Sequence, residues 1–250
     1  MNVTVLGCSG GIGGTTPSTC VQVTPKLLID AGSGLERMAL DNMRRIDHIL
    51  LTHAHMDHIS ALATFLSNVI GYREQSVRLY AQTSTIEVLR KHIFNWQVWP
   101  DFTVLPTVDQ PIIEFVPLQP GKSVAIDGLH MTPIAMEHTV PTIGFSIRSD
   151  HRHFMYCADT TYNANLIDAL NQLPQIDQLV IECSFPRSQH EMAMISKHLT
   201  TDLLKRFIDQ LNHRPHEILV AHLKPNYEAL IRAELSEVLA GYPWRYFEAQ

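Results

Sequence analysis

Three histidines and one aspartate stand within six residues of the sequence, in the stretch His53-Ala54-His55-Met56-Asp57-His58. The stretch follows the apolar run of residues 46–51 and leads into residues 59–69, whose apolar positions recur with helical spacing. The motif is therefore predicted on a turn between a buried strand and a helix. Imidazole and carboxylate groups are ligands for zinc, iron and manganese, and four of them on one turn can serve two adjacent ions. The pattern favours hydrolysis by metal-activated water over a polar loop of solvated histidines.

The composition is sufficient for a sizeable core and argues against a broad nucleic-acid-binding surface. Of the 250 residues, 45% are hydrophobic, and 19 lysines and arginines stand against 25 acidic residues, for a net charge of −6. A broad nucleic-acid surface would need clustered basic residues. The cysteines form no Cys-x-x-Cys pair, so we expect thiols in a reducing compartment at all four positions: Cys8, Cys20, Cys157 and Cys183.

The sequence also predicts a cytoplasmic location without a membrane span. Residues 1–7 lack the basic and long apolar regions of a signal peptide and are instead typical of a first strand. A run of about 18 apolar residues, which a transmembrane helix would need, does not occur.

Short apolar strands alternate with helical patterns along the chain. The pattern predicts an α/β fold, with one αββα domain over residues 1–250 in which two mixed β-sheets are sandwiched between helices. Residues 96–111 are expected to be irregular, as a lid, a partner surface or a packed surface loop. The predicted strands are residues 3–6, 20–24, 27–30, 46–52, 77–81, 112–116, 123–126, 131–136, 142–147, 153–157, 178–182, 217–221 and 244–247. The predicted helices are residues 59–69, 84–94, 163–170, 201–211 and 227–239.

Because one loop cannot complete a two-metal site, further ligands are expected at the ends of other strands. Three candidates each follow an apolar strand and precede a turn: His138, Asp159 and His222. Strand ends are rigid places for ligands. Taken singly, each would more often be a hydrogen-bonded structural residue, but their shared position favours a metal site.

The order His-x-His-x-Asp-His, then His, Asp and His, resembles the metallo-β-lactamase superfamily. Within it, the chain is most similar to the class II 3′,5′-cyclic-nucleotide phosphodiesterases, whose core motif reads His-x-His-Leu-Asp-His. Met56 replaces the leucine here. Further pieces that match this family are Asn95 with Trp99-Pro100, Ile181-Glu182-Cys183-Ser184-Phe185, His198-Leu199-Thr200 and His222-Leu223-Lys224-Pro225. Several of these pieces are shared by RNase Z, the tRNA 3′-processing endonuclease.

The resemblance implies a ligand set for two divalent metal ions. Zinc is expected, with manganese and iron as alternatives. One ion would take His53, His55 and His138, the other would take Asp57, His58 and His222, and Asp159 would bridge them. Asp57, Glu182 and His198 are the residues expected to take part in catalysis.

The likeness to RNase Z implies a role for His198. His198 would contact the scissile phosphate or protonate the leaving group, and Glu182 would orient its ring. The alternative is an ordinary surface histidine at the start of a helix. Lys224 could reach a phosphate, although a solvated lysine fits the sequence nearly as well.

The expected function is hydrolysis of 3′,5′-cyclic nucleotides, such as cyclic AMP, to 5′-nucleoside monophosphates. The partner would be a small phosphodiester substrate rather than nucleic acid or a membrane, and a homodimer is compatible with the sequence. The alternatives are an RNase Z-like nuclease, a hydrolase of another ester, and a non-catalytic binding protein on the same fold. All seven ligand positions are filled, which favours an enzyme.

Overall fold

The computed structural model describes residues 3–14 and 16–248. Within these residues the chain forms two compact units. Residues 3–7 and 16–119 belong to the first unit, and residues 8–14 and 120–248 belong to the second. Each unit contains one mixed β-sheet with its own helices.

The first unit is built on a six-stranded sheet whose strands follow one another in chain order. The first three strands pair antiparallel, and the third to sixth strands pair in parallel. The strands are β1 (Thr4–Gly7), β2 (Cys20–Thr24), β3 (Leu27–Ile29), β4 (His48–Leu50), β5 (Val77–Gln82) and β6 (Ile113–Leu118). The helices are α1 (Leu40–Met43), α2 (Met56–Ile59), α3 (Leu62–Val69) and α4 (Thr83–His92), with a 3₁₀ helix at Ser33–Arg37.

The core of the first unit explains why these segments form strands and helices. Ile49 and Leu50 in β4 are fully buried, as expected for a central parallel strand covered on both faces. Phe65 and Leu66 on α3 lie on one buried face of that helix, and α4 packs on β5 and β6. The result is a rigid base for the turn that follows β4.

The second unit is built on a seven-stranded sheet with the order β13-β12-β11-β10-β9-β8-β7. Its first four strands in chain order are antiparallel neighbours, and the last four are joined in parallel. The strands are β7 (Val124–Ile126), β8 (Leu129–Met136), β9 (Thr142–Arg148), β10 (His153–Tyr156), β11 (Gln178–Glu182), β12 (Glu217–Ala221) and β13 (Trp244–Tyr246). The helices are α5 (Ala164–Asn171), α6 (His190–Ser196), α7 (Thr201–Asp209) and α8 (Glu228–Val238), with 3₁₀ helices at Arg187–Gln189 and Pro225–Tyr227.

The two mixed sheets with their helices confirm the predicted α/β class, and most predicted strands lie within two residues of the observed bounds. The helix predicted over residues 59–69 is wrong at its start. α2 begins at Met56, and the backbone N–H of Ala61 donates to the carbonyl of Ala31 over 2.9 Å instead of continuing the helix. The chain therefore breaks between α2 and α3.

The short helix α6 was not predicted, because its apolar residues do not lie on a buried face. Met192, Met194 and Ile195 are 49%, 49% and 75% exposed, and the buried apolar residue of the helix is Ala193. The helix α1 was also missed; it is a single turn of four residues.

Residues 96–111 contain no helix or extended strand, as predicted, and form isolated bridges between Phe94 and Trp99 and between Pro106 and Pro111. None of the four cysteines is in a disulfide. In the part of the chain described above, no helix combines the length and the apolar character needed to cross a membrane. A single domain over residues 1–250 stays a prediction.

Candidate metal centre

The histidine-rich motif lies on the turn between β4 and α2, where the sequence predicted it. His53 and His58 are buried, whereas His55 and Asp57 are partly exposed. The ring of His53 lies 4.6 Å from that of His55 and 4.2 Å from that of His58, measured between centroids. Nε2 of His58 is 3.8 Å from a carboxylate oxygen of Asp57. The turn therefore concentrates all four potential ligands of the first unit.

A buried carboxylate, that of Asp30, supports this turn from the end of β3. Asp30 is fully buried and adopts a left-handed backbone with φ of 57°. Its oxygens accept the backbone N–H of Thr52 at 2.8 Å, the hydroxyl of Thr52 at 2.9 Å, and Nδ1 of His58 at 2.7 Å. Burial raises the pKa of Asp30, although its hydrogen bonds with His58 and Thr52 act against that shift. Asp30 thus fixes both the backbone of the turn and one imidazole.

The hydrogen bonds of the second unit organise three further ligand candidates at strand ends. His138 follows β8, Asp159 follows β10, and His222 follows β12. The two oxygens of Asp159 lie 3.7 Å from Nε2 of His138 and 3.3 Å from Nε2 of His222. All three residues are buried. Burial lowers the pKa of His138, which favours the neutral imidazole that metal binding requires.

The outer partners of the histidines decide which ring nitrogen carries the proton. Nδ1 of His138 lies 3.1 Å from the carbonyl of Lys197, which can only accept. Nδ1 of His58 likewise faces the carboxylate of Asp30. Each Nδ1 therefore donates, and each Nε2 presents a lone pair.

Two hydroxyl groups assign the same tautomer to the other two buried histidines. The hydroxyl of Thr52 donates to Asp30, so its oxygen accepts Nδ1–H of His53 at 3.0 Å. Ser184 donates to Glu182 at 2.7 Å, so its oxygen accepts Nδ1–H of His222 at 3.1 Å. Each unit thus offers imidazole Nε2 atoms beside carboxylate oxygens, a donor set that fits zinc, manganese or iron.

Glu182, at the end of β11, is the hub of the second unit's polar network. One of its oxygens accepts Nδ1–H of His198 at 2.6 Å and the backbone N–H of Thr160 at 2.9 Å. The other accepts the hydroxyl of Ser184 and the backbone N–H of Leu199 at 3.2 Å. Glu182 is buried, and its four hydrogen bonds satisfy the charge. One carboxylate therefore orients His198 and, through Ser184, His222.

His198 is not the surface histidine that the alternative interpretation expected. It lies between α6 and α7, is 5% exposed, and its ring centroid is 5.4 Å from that of His222 and 4.9 Å from that of His138. Burial alone would lower the pKa of His198, but the adjacent Glu182 carboxylate outweighs it and raises the pKa above its usual value. The ring can therefore hold a second proton beside the ligand candidates.

The backbone around His222 is also constrained. His222 has a left-handed φ of 60°, and its N–H donates to the carbonyl of Cys8 over 2.8 Å. A Cβ added at Gly10 would lie 2.7 Å from Nδ1 of His222. Glycine is therefore required at position 10 to let the backbone pass the imidazole.

The structure gathers the predicted site residues within each unit: the four on the first turn, and the five at the strand ends and before α7 of the second unit. Sequence reasoning missed Asp30, Ser184 and Lys197 as partners of these residues. Asp30 had a usable signal, since it ends an apolar strand as Asp159 does. Ser184 lies in one of the matching pieces but was given no role, and Lys197 had no signal, because their roles depend on contacts between residues distant in sequence.

Comparison with known proteins is consistent with this arrangement of donors. The sequence profile of the beta-lactamase superfamily domain matches residues 26–222, which is most of the chain. The chain belongs to the metallo-β-lactamase superfamily. The superfamily comprises metal-dependent hydrolases, and the predicted similarity to cyclic-nucleotide phosphodiesterases is confirmed by a relative.

That relative is a probable 3′,5′-cyclic-nucleotide phosphodiesterase of Yersinia pestis, which is 26% identical over 214 residues, covering 73% of this chain and 58% of the relative. A ribonuclease Z of Methanopyrus kandleri is 29% identical over 127 residues, covering 50% of this superfamily member and 40% of the nuclease. The chain therefore spans only 40–58% of the length of these two relatives.

Solved structures confirm the fold class. Unliganded yeast PDE1 superposes with a TM-score of 0.79 at 18% identity, covering 98% of this chain and 96% of PDE1. The metallo-β-lactamase fold protein YhfI of Bacillus subtilis gives a TM-score of 0.77 at 20% identity, covering 99% and 95% of the two chains. At these identities the likeness establishes the metallo-β-lactamase fold alone.

Proposed function

We propose that this superfamily member is a binuclear metal-dependent phosphodiesterase that opens 3′,5′-cyclic nucleotides to 5′-nucleoside monophosphates. The observation that carries the proposal is the buried pair of Glu182 and His198 beside the ligand candidates His138, Asp159 and His222. Such a pair supplies a proton to an alkoxide leaving group. The names of the two relatives, a probable cyclic-nucleotide phosphodiesterase and a ribonuclease, both denote cleavage of phosphodiesters.

The proposed ligand set divides seven residues between two ions. One ion would be held by His53, His55 and His138, the other by Asp57, His58 and His222, and Asp159 would contribute to both. The Nδ1 hydrogen bonds of four of these histidines support the assignment, because they leave Nε2 as the coordinating atom. When bound, the two divalent ions would activate a water molecule and neutralise charge on the phosphoryl oxygens. Zinc is the proposed metal, with manganese or iron as alternatives.

The chain's own residues provide the second half of the reaction. Opening the ring to a 5′-monophosphate breaks the bond between phosphorus and the 3′-oxygen, and that oxygen must gain a proton. Glu182 accepts Nδ1–H of His198, so Nε2 is the atom left to face the substrate. The raised pKa of His198 keeps a proton available there. The Glu182 carboxylate accepts from Nδ1 of His198 and stabilises the imidazolium in this scheme.

The choice of a small substrate is supported by charge. The net charge of −6 disfavours the broad basic surface that a tRNA would require. An RNase Z-like activity is the second candidate, because a ribonuclease Z matches this chain at 29% identity. The proposal includes a single hydrolase domain over residues 1–250. It also includes a cytoplasmic location, which is supported by the cysteine thiols, none of which is in a disulfide. Self-association as a homodimer is compatible with it.

The deciding experiment is a substrate panel for the metal-loaded protein. Cyclic AMP, cyclic GMP, bis(p-nitrophenyl) phosphate and a precursor tRNA are incubated with it, and the products are separated by chromatography. We expect 5′-nucleoside monophosphate from at least one cyclic nucleotide. Cleavage of precursor tRNA without cleavage of either cyclic nucleotide would overturn the proposal and favour the nuclease.

A pair of variants tests the proposed role of His198. His198→Ala is expected to lower kcat by about 100-fold to 10,000-fold, the usual contribution of general acid catalysis, while metal content is unchanged. His190→Ala, at the exposed start of α6, is the matched control and should keep wild-type turnover. Normal turnover of the His198 variant would remove the role proposed for that residue.

A further inference from the structure

The residue before His198, Lys197, occupies a backbone conformation that ordinarily favours glycine. Lys197 ends α6 with φ of 52° and ψ of 54°, in the left-handed region. The backbone N–H of the following His198 donates to the carbonyl of Ala193 over 2.9 Å, which closes the end of the helix. A lysine is strained in this conformation, so its presence calls for a contact that glycine could not make.

The side chain of Lys197 makes such a contact. Its Nζ lies 2.5 Å from a carboxylate oxygen of Glu137, and the amide of Asn163 lies 3.4 Å from the other oxygen of that carboxylate. The side chains of Lys197 and Glu137 remain 40% and 44% exposed. An ion pair this exposed adds little to global stability. Its consequence must therefore lie in local geometry.

The backbones of Lys197 and Glu137 are in turn hydrogen-bonded to the turns that carry the site residues. The carbonyl of Lys197 accepts Nδ1–H of His138 at 3.1 Å, and Glu137 directly precedes His138. The backbone of Glu137 is held by Thr160 and Thr161, which follow Asp159, through bonds of 3.2 and 3.0 Å. The pair thus ties together the three turns that carry His138, Asp159 and His198.

We infer that Lys197 is a positioning residue for the metal centre: its ion pair with Glu137 holds its carbonyl against Nδ1 of His138 and so fixes the direction in which Nε2 of that imidazole points. The inference rests on the proposed function only in taking His138 as a metal ligand. Lys197 acts through His138, because its Nζ binds Glu137 and its carbonyl accepts from Nδ1 of His138. The side-chain contact fixes the geometry of a main-chain hydrogen bond, and that hydrogen bond fixes the orientation of the His138 imidazole.

The test is zinc and cobalt binding by four variants. Lys197→Met removes the charge, Lys197→Gly removes the side chain but suits the left-handed backbone, and Lys197→Arg keeps the ion pair. Lys205→Met is the matched control, because Lys205 forms a comparably exposed ion pair with Asp209 within α7. Zn²⁺ affinity is measured by competition with a chelator, the absorption spectrum of bound Co²⁺ reports ligand geometry, and circular dichroism follows thermal unfolding.

We expect Lys197→Met and Lys197→Gly to weaken Zn²⁺ binding by about 10-fold, the lower end of the effect of losing an outer partner of a ligand, and to alter the Co²⁺ spectrum. Lys197→Arg and Lys205→Met should match the wild type in both measurements. Wild-type affinity and spectrum in the methionine and glycine variants would overturn the inference, as would an arginine variant weakened as much as the methionine variant. Metal binding is measured without substrate, so failure of the proposed phosphodiesterase activity leaves this result readable.

Discussion

One oxygen of the Glu182 carboxylate lies 2.6 Å from Nδ1 of His198, while the other accepts the hydroxyl of Ser184, which in turn binds His222. A single buried charge therefore controls both a candidate general acid and a candidate metal ligand. The two roles are linked because both hydrogen bonds are made by the same carboxylate, which lies at the end of β11. Substitution of Glu182 should therefore lower both turnover and metal affinity, whereas substitution of His198 should lower turnover alone.

Glu182→Gln is expected to lower kcat about 100-fold and to weaken metal binding about 10-fold. The neutral amide no longer stabilises the imidazolium of His198, and its NH₂ group disrupts the acceptor pattern that holds Ser184 and His222. Steady-state kinetics and chelator competition give the two numbers. Glu191→Gln on the exposed face of α6 is the control. A Glu182 variant that loses turnover yet keeps full metal affinity would contradict the link through Ser184.

Asp30→Ala should lower the free energy of unfolding by about 3 kcal/mol, because the buried N–H of Thr52, its hydroxyl and Nδ1 of His58 lose their common acceptor. The measurement is urea unfolding in the presence of a chelator, so that metal binding does not contribute. Asp41→Ala is the control, since the Asp41 side chain is 90% exposed. Equal stability of the Asp30 variant and the wild type would show that the buried network adds nothing to folding.

The sequence predicted the positions of three candidate ligands after apolar strands, while their role as ligands stays a prediction. His138, Asp159 and His222 each stand at the end of a strand, and strand periodicity is a local signal. The likeness to RNase Z supplied the roles of Glu182 and His198, which composition and spacing alone would not have distinguished from structural residues. The two sheets followed from the same alternation of strands and helices.

What the sequence left out depends on contacts between distant residues. The hydroxyl of Thr52 can be assigned a role only once Asp30, 22 residues earlier, is known to lie beside it. Lys197 and Glu137 are 60 residues apart, and nothing near either residue indicates the pair. α6 escaped prediction because its apolar residues face solvent, so that helical periodicity gave no signal.

Gly10→Ala is expected to weaken metal binding about 10-fold. The new methyl group would lie 2.7 Å from both Nδ1 and the carbonyl oxygen of His222, so the backbone and the imidazole of His222 must both shift. Gly14→Ala is the matched control, because its nearest neighbour, a side-chain carbon of Pro225, would be 3.4 Å away. Chelator competition measures the affinity of each. Wild-type affinity of the Gly10 variant would mean that His222 has room to move without loss.

His153, which is not one of the candidate site residues, should contribute to the pH dependence of the free energy of unfolding. This buried histidine donates from Nδ1 to the carbonyl of Gln175 over 3.1 Å and accepts at Nε2 from Ser146 over 2.8 Å, so the neutral ring is satisfied. Burial lowers the pKa of His153, and its charged neighbours are Arg148 and Asp177.

Because the folded-state pKa of His153 is lowered, the unfolded chain binds the proton more readily. Stability is therefore greatest above the ordinary value of 6.5, falls as pH drops below it, and levels off below the lowered folded-state pKa. His153→Gln cannot titrate, so its loss of stability from about pH 7.5 to about pH 5 should be smaller than that of the wild type. Urea unfolding with chelator at several pH values measures the difference, with the exposed neighbour His151→Gln as control. Identical pH dependence in the wild type and the His153 variant would rule out a contribution from this imidazole.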